Sequence, residues 1–149
     1  MDDIKNELKK YNSLKAKLRL LYNELEAVKS EGSNIKACYI RERVQDSYIS
    51  DSTSEGAIHN IDKEKALEGK ITRLKLRIKR VEDLLEIVPE LERELIKCRY
   101  FQKMSWTAIC MRFGYCERHL QKKLNIALED LNEVYQDITR IHNELTIEI

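Results

Sequence analysis

At 149 residues, with 42% hydrophobic and 36% charged side chains, the chain is sized for one ordinary domain, or for a small domain plus an extension. Only four glycines and one proline accompany that charge, which points to long helices and away from a sheet protein. The net charge of +1 advertises no polyanionic partner, and no uninterrupted apolar stretch approaches the ~20 residues of a membrane span.

Five helices are predicted from the apolar spacing. The first covers 2–29, where Ile4, Leu8, Tyr11, Leu14, Leu18, Leu21, Leu25 and Val28 recur mostly at threes and fours, the narrow stripe of a coiled-coil seam. Gly32 and its Ser/Asn neighbours are expected to end it. Residues 30–61 are the least regular part, with two of the four glycines and a Ser/Asp/Thr cluster at 50–54. They read as a flexible tip of the hairpin or, in second place, as a small packing element, a short helix over 35–44 with Tyr39, Ile40 and Val44 as its apolar face; a partner-docking loop is the weaker reading. The second helix, 62–88, is stricter: Leu67, Ile71, Leu74, Ile78, Val81, Leu85 and Val88 repeat at 4-3 spacing. Pro89 marks the next start, because proline fits a first helical turn and breaks an interior. A third helix follows over 90–101.

Residues 104–131 then read as a helix-turn-helix running into a long last helix, 116–147. Ser105 can cap the first of the pair by accepting a free backbone N–H. Trp106, Ile109, Cys110 and Phe113 fall on one face. Gly114 sits where the turn needs φ > 0, which a residue without Cβ adopts cheaply. Leu120, Leu124, Ala127, Leu128 and Leu131 continue as the buried face of the second helix, leaving Glu117, Arg118, Gln121, Lys122 and Asn125 outside. These side chains read base edges or hold phosphates, so the pattern implies binding to double-stranded DNA. Arg118 and Gln121 are placed for base edges, with Glu117 and Lys122 beside them; Lys103, Ser105, Thr107, Arg112 and Lys123 are the candidate phosphate contacts.

Charge segregation supports that implication. Residues 97–124 hold seven bases (Lys97, Arg99, Lys103, Arg112, Arg118, Lys122, Lys123) against Glu117, a local +6. Residues 125–149 hold six acids against Arg140, a local −5. A basic patch confined to the reading head is the expected footprint of phosphate neutralisation.

The same segment resembles region 4 of the sigma-70 family. That pattern of an aliphatic–Ala pair, a turn Gly, a Ser, a buried Val, Ala-Leu and a further Leu is met here by Ile109 and Cys110, Gly114, Cys116, Leu120, Ala127 and Leu128, and Leu131, without insertion or deletion. Cys110 replaces the small Ala, and Cys116 replaces the N-cap Ser, a weaker cap because a thiol accepts hydrogen bonds poorly. The run LERELIKCRY at 91–100, followed by SWTAI at 105–109, is similar to the R-x-x-L-x-x-R-Y and S-W-x-x-I runs of phage and prophage late-transcription regulators of the ArpU/RinA-like group. The resemblance implies an activator of phage late genes that recruits or steers the host RNA polymerase. It places Glu117, Arg118, Gln121 and Lys122 at base- and phosphate-facing positions. Glu117 departs from the common basic residue, so the usual promoter sequence preference does not carry over.

The expected fold is all-α: an antiparallel coiled-coil hairpin over 1–88 with an irregular tip at 30–61, then a sigma-region-4-like helix-turn-helix domain over 89–149 with an extended last helix. In that helix Leu124, Leu128, Leu131, Tyr135, Ile138, His142 and Leu145 form another 4-3 stripe, flanked by Val134 and Ile141, with His142 as a polar register-setter. Such a stripe needs a partner, either the hairpin or a second subunit, and a homodimer or higher oligomer is the favoured expectation. A phage terminase small subunit, or a coiled-coil adaptor that binds no DNA, are the competing readings. Cys110, Cys116 and His119 have C-x5-C-x2-H spacing, which does not suit a four-ligand zinc site, so no metal and no cofactor is expected. With three histidines, no phosphate loop and no nucleophile elbow, the chain does not read as an enzyme. The charged N-terminus, MDDIKNELKK, is unlike a signal peptide, which places the chain in the cytoplasm of a bacterial host cell with reduced thiols.

Overall fold

The computed structural model describes residues 2–41 and 52–147, whose regular structure is all helical, with no strand among them. The α-helices are α1 (Asp2–Arg41), α2 (Ser52–Ile87), α3 (Glu90–Ile96), α4 (Trp106–Phe113) and α5 (Glu117–Ile147), and a π-helical turn, Lys97–Phe101, closes α3. Among the described residues no helix is long and apolar enough to cross a membrane.

Both long N-terminal helices outrun the sequence expectation. α1 continues through Gly32 to Arg41, and α2 begins at Ser52, so 30–41 and 52–61 are helical rather than irregular. One interior glycine costs only about 1 kcal/mol relative to alanine. No proline interrupts this stretch, so nothing in it forces the helix to stop. Residues 42–51, including Val44 of the short helix expected over 35–44 and the first residues of the polar cluster at 50–54, lie outside the described residues. The third helix ends at Phe101 as expected, its α-helical part passing into the π-helical turn after Ile96.

The chain forms two compact units, residues 14–76 and residues 1–13 with 77–149. In the first, Leu14, Leu25 and Ile71 are buried, and Leu18, Leu21, Val28, Leu67 and Leu74 are half-buried. Lys75 Nζ lies 5.1 Å from the centre of the Tyr22 ring, and Lys29 Nζ lies 3.9 Å from a Glu68 carboxylate oxygen. As residue numbers rise along α1, those of the partners on α2 fall, so the two helices run in opposite directions within this unit.

In the second unit Ile4, Leu8 and Tyr11 of α1 and Ile78, Val81, Leu84 and Leu85 of α2 are buried, as are Leu95 and Ile96 of α3. Arg77 Nε donates to Glu7 Oε2 at 2.9 Å, and this hydrogen bond to a buried carboxylate lifts the guanidinium above its ordinary pKa. The Tyr11 hydroxyl donates to Glu82 at 2.6 Å, and its ring stacks on Phe101 with centroids 4.1 Å apart. The α2–α3 junction is closed by Arg93, which donates to the carbonyls of Leu85, Glu86 and Val88. These are end-of-helix acceptors that α2 cannot satisfy itself. Pro89 sits at the N-cap of α3 with ψ 156, where its missing N–H removes nothing the helix needs.

Candidate nucleic-acid interface

The head is built from α3, α4 and α5, with α3 and α4 packed on α5. Ile109 of α4 and Leu120 of α5 are fully buried together with Leu95, Ile96 and Cys98, and Leu124, Ala127, Leu128 and Leu131 extend that face along α5. All five α5 positions expected inside are inside. Trp106, Cys110 and Phe113 are half-buried, and the Trp106 ring lies 5.2 Å from the Arg99 guanidinium.

The turn chemistry follows the sequence. Ser105 Oγ accepts from Ala108 N at 3.3 Å, so the hydroxyl is an N-cap. Replacing Ser105 with alanine is expected to lower unfolding free energy by about 1 kcal/mol, read as a shifted denaturant midpoint at unchanged slope. Gly114 has φ 72 and its amide donates to Cys110 O at 2.9 Å. Nothing lies within 4 Å of where a Cβ would stand, so only the backbone conformation resists substitution. Gly114→Ala is expected to destabilise by about 1–2 kcal/mol in the same measurement, with Gly114→Asn costing less. Cys116 occupies the N-cap of α5, its carbonyl accepting from Leu120 N at 3.2 Å.

Along α5, Arg118, Gln121, Lys122 and Asn125 lie within about 100° of arc, away from the buried face. Arg118, Lys122 and Asn125 are exposed and Gln121 is half-exposed. Gln121 Nε2 donates to Glu117 Oε1 at 2.7 Å, an i, i+4 bond that orients the amide and leaves its oxygen and second N–H outward. Lys103, just before α4, is exposed and holds φ 52, a strained value for a side chain with a Cβ. Thr107 is exposed on the first turn of α4.

Of the seven bases counted as a patch, four are engaged within the head. Lys97 Nζ bonds Glu94 at 3.1 Å, and Arg99 donates to Met104 O at 3.0 Å. Arg112 contacts Cys98 Sγ and Gln102 Oε1, both at 3.4 Å, and approaches Glu94 at 4.0 Å. Lys123 Nζ lies 3.4 Å from Glu92, tying α5 to α3. Among the described residues, Lys103, Arg118 and Lys122 have no side-chain partner and are the cations open to a phosphate or a base. The sequence could count these charges but could not see which were already neutralised.

His119, which its spacing from Cys116 offers only as a metal candidate, is exposed beside Tyr115, with ring centroids 5.2 Å apart. The i, i+4 spacing of the two rings was the available signal. Cys98 is buried, Cys110 half-buried and Cys116 exposed, all free thiols, and no group of three or more His, Cys, Asp or Glu among the described residues is placed to hold a metal.

The family described as "Protein of unknown function (DUF722)" matches residues 1–133. The chain belongs to the DUF722 family. No curated protein and no solved structure matches it. The DUF722 match takes in α1 to α4 and the first half of α5, and so includes every candidate contact from Lys103 to Asn125.

Proposed function

We propose that this DUF722 protein is a sequence-specific DNA-binding transcriptional regulator, an activator of phage late genes. On this reading an antiparallel coiled-coil hairpin carries a sigma-region-4-like helix-turn-helix. The N-terminal half of α5 is the reading helix, entering the major groove with Arg118 and Gln121 toward base edges. Lys103, Thr107 and Lys122 neutralise phosphates on either side. Ser105, Arg112 and Lys123 hold the head together and approach the backbone only secondarily. The observation that carries the reading is the exposure of Lys103 ahead of α4 and of Arg118 and Lys122 on α5, without partners among the described residues, beside helices whose inner face is buried. A helix pair needed only for packing would have no reason to keep these cations exposed and unpaired. Through its resemblance to the polymerase-recruiting part of a sigma factor, the protein would bring RNA polymerase to the promoter it marks.

Selection of bound fragments from genomic DNA by the purified protein at two salt concentrations tests this. A defined motif upstream of a late-gene promoter is the expected result. Motif-free binding by a ring-sized assembly would overturn it in favour of a DNA-packaging subunit, and absence of binding at low salt would overturn DNA recognition itself.

A further inference from the structure

The second half of α5 presents two different faces. On one side α5, from Tyr135 through Thr139, Asn143 and Glu144 to Ile147, lines a largely polar groove with Glu7 and Lys10 of α1. Burial beside this groove pushes the Tyr135 phenol up, and the neighbouring Glu7 carboxylate adds to the rise. Roughly opposite, at 100° per residue, run Val134, Ile138, Ile141 and Leu145. Val134 and Ile138 are half-buried, whereas Ile141 and Leu145 are 56% and 61% exposed. The buried face of α5 ends at Leu131, and beyond it the apolar stripe turns away from α1 and meets solvent.

The spacing of that stripe is 4-3-4, a heptad seam with Ile138 and Leu145 at a and Val134 and Ile141 at d. The flanking positions then separate by chemistry. Asp130, Asp137 and Glu144 occupy g, Glu144 at the lip of the groove with α1, while of the e positions Tyr135 lines that groove and His142 is exposed. An antiparallel pair of such helices sets g against g, acid facing acid. A parallel pair sets g against the following e of the partner, so that Asp137 meets the exposed imidazole of His142. Among the described residues Asp137 is held by Arg140 of its own helix alone, at 4.0 Å and with both side chains mostly exposed, so it can change partner.

We infer that this seam is closed by a second copy of the chain, the C-terminal halves of two α5 helices packing in parallel, with Asp137 of each copy opposite His142 of the other. His142 therefore lies at the edge of the seam and not in its core, in line with its exposure. The contact does not depend on the DNA-binding reading, although a parallel pair would also carry two heads on one assembly. The seam is short, so the dimer is a weak one, with a dissociation constant of about 10–100 µM.

Sedimentation equilibrium of the full chain, without DNA, tests the inference. A reversible monomer–dimer equilibrium is expected. In an Ile141→Asp, Leu145→Asp variant with unchanged helical circular dichroism, the dissociation constant is expected to rise at least about tenfold. His142→Lys is expected to tighten the dimer about threefold by facing Asp137 across the seam. A monomer at about 500 µM, an assembly larger than two, or a dimer that survives the double Asp variant overturns the inference. Weakening by His142→Lys overturns the parallel sense, because only an antiparallel pair would bring the two lysines together.

Discussion

An Arg118→Ala, Gln121→Ala variant is expected to lose sequence-selective DNA binding while keeping its fold. Both side chains leave the outer face of α5, and neither contributes to the core formed by Ile109, Leu120 and Leu124. A well-placed base contact discriminates by about 1–3 kcal/mol, so losing two is expected to erase selectivity by roughly two to four orders of magnitude. Competition between the selected motif and scrambled duplex, at fixed salt, measures it. Lys122→Ala provides the contrast. A phosphate contact carries no sequence information, so affinity is expected to fall about equally on both duplexes, and the slope of log K against log salt by about 0.9. Lys123→Ala is expected to change that slope less, because Lys123 is already paired with Glu92. If Arg118→Ala, Gln121→Ala leaves the ratio of motif to scrambled binding unchanged, α5 is not the reading helix.

Leu120→Ala is expected to be the most damaging core substitution in the head, at about 2–5 kcal/mol. Leu120 is fully buried one turn into α5. It lies on the face that meets α3 and α4, between the turn and the rest of the α5 stripe. Truncation leaves a cavity where short helices have little else to hold them, since a helix of eight residues such as α4 is not stable alone. Urea unfolding followed by Trp106 fluorescence reports this site directly, since Trp106 is the chain's one tryptophan. Met111→Ala is the matched control: Met111 is 82% exposed on α4 and should move the midpoint by less than about 0.5 kcal/mol. Equal effects from the two would mean that α4 does not pack on α5 through this face.

Much of the head was legible because its signals are local. A serine before an apolar run, a glycine between two amphipathic stretches and a 3.6-residue period act over a few residues, and each was placed correctly: the Ser105 cap, the Gly114 turn and the five inward positions of α5. The extents of α1 and α2 were less legible. A glycine in a long polar helix shifts the local balance by only about 1 kcal/mol, too little to decide between continuation and termination. The π-helical turn at Lys97–Phe101 had no signal of its own in the sequence.

By itself the sequence determined the helical class, the periodic faces and the concentration of basic residues between 97 and 124, all properties of residue order alone. The tertiary structure decided which of those bases remain open. Glu92 and Glu94 lie on α3 and claim Lys123, Lys97 and Arg112, while the carbonyl of Met104 and the Trp106 ring claim Arg99. It also decided where the α5 stripe stops being core: past Leu131, α1 takes the polar side of the helix and Ile141 and Leu145 are left exposed. Pairing and burial depend on which elements come together in space, whereas a period along the chain records only that each helix has an apolar side.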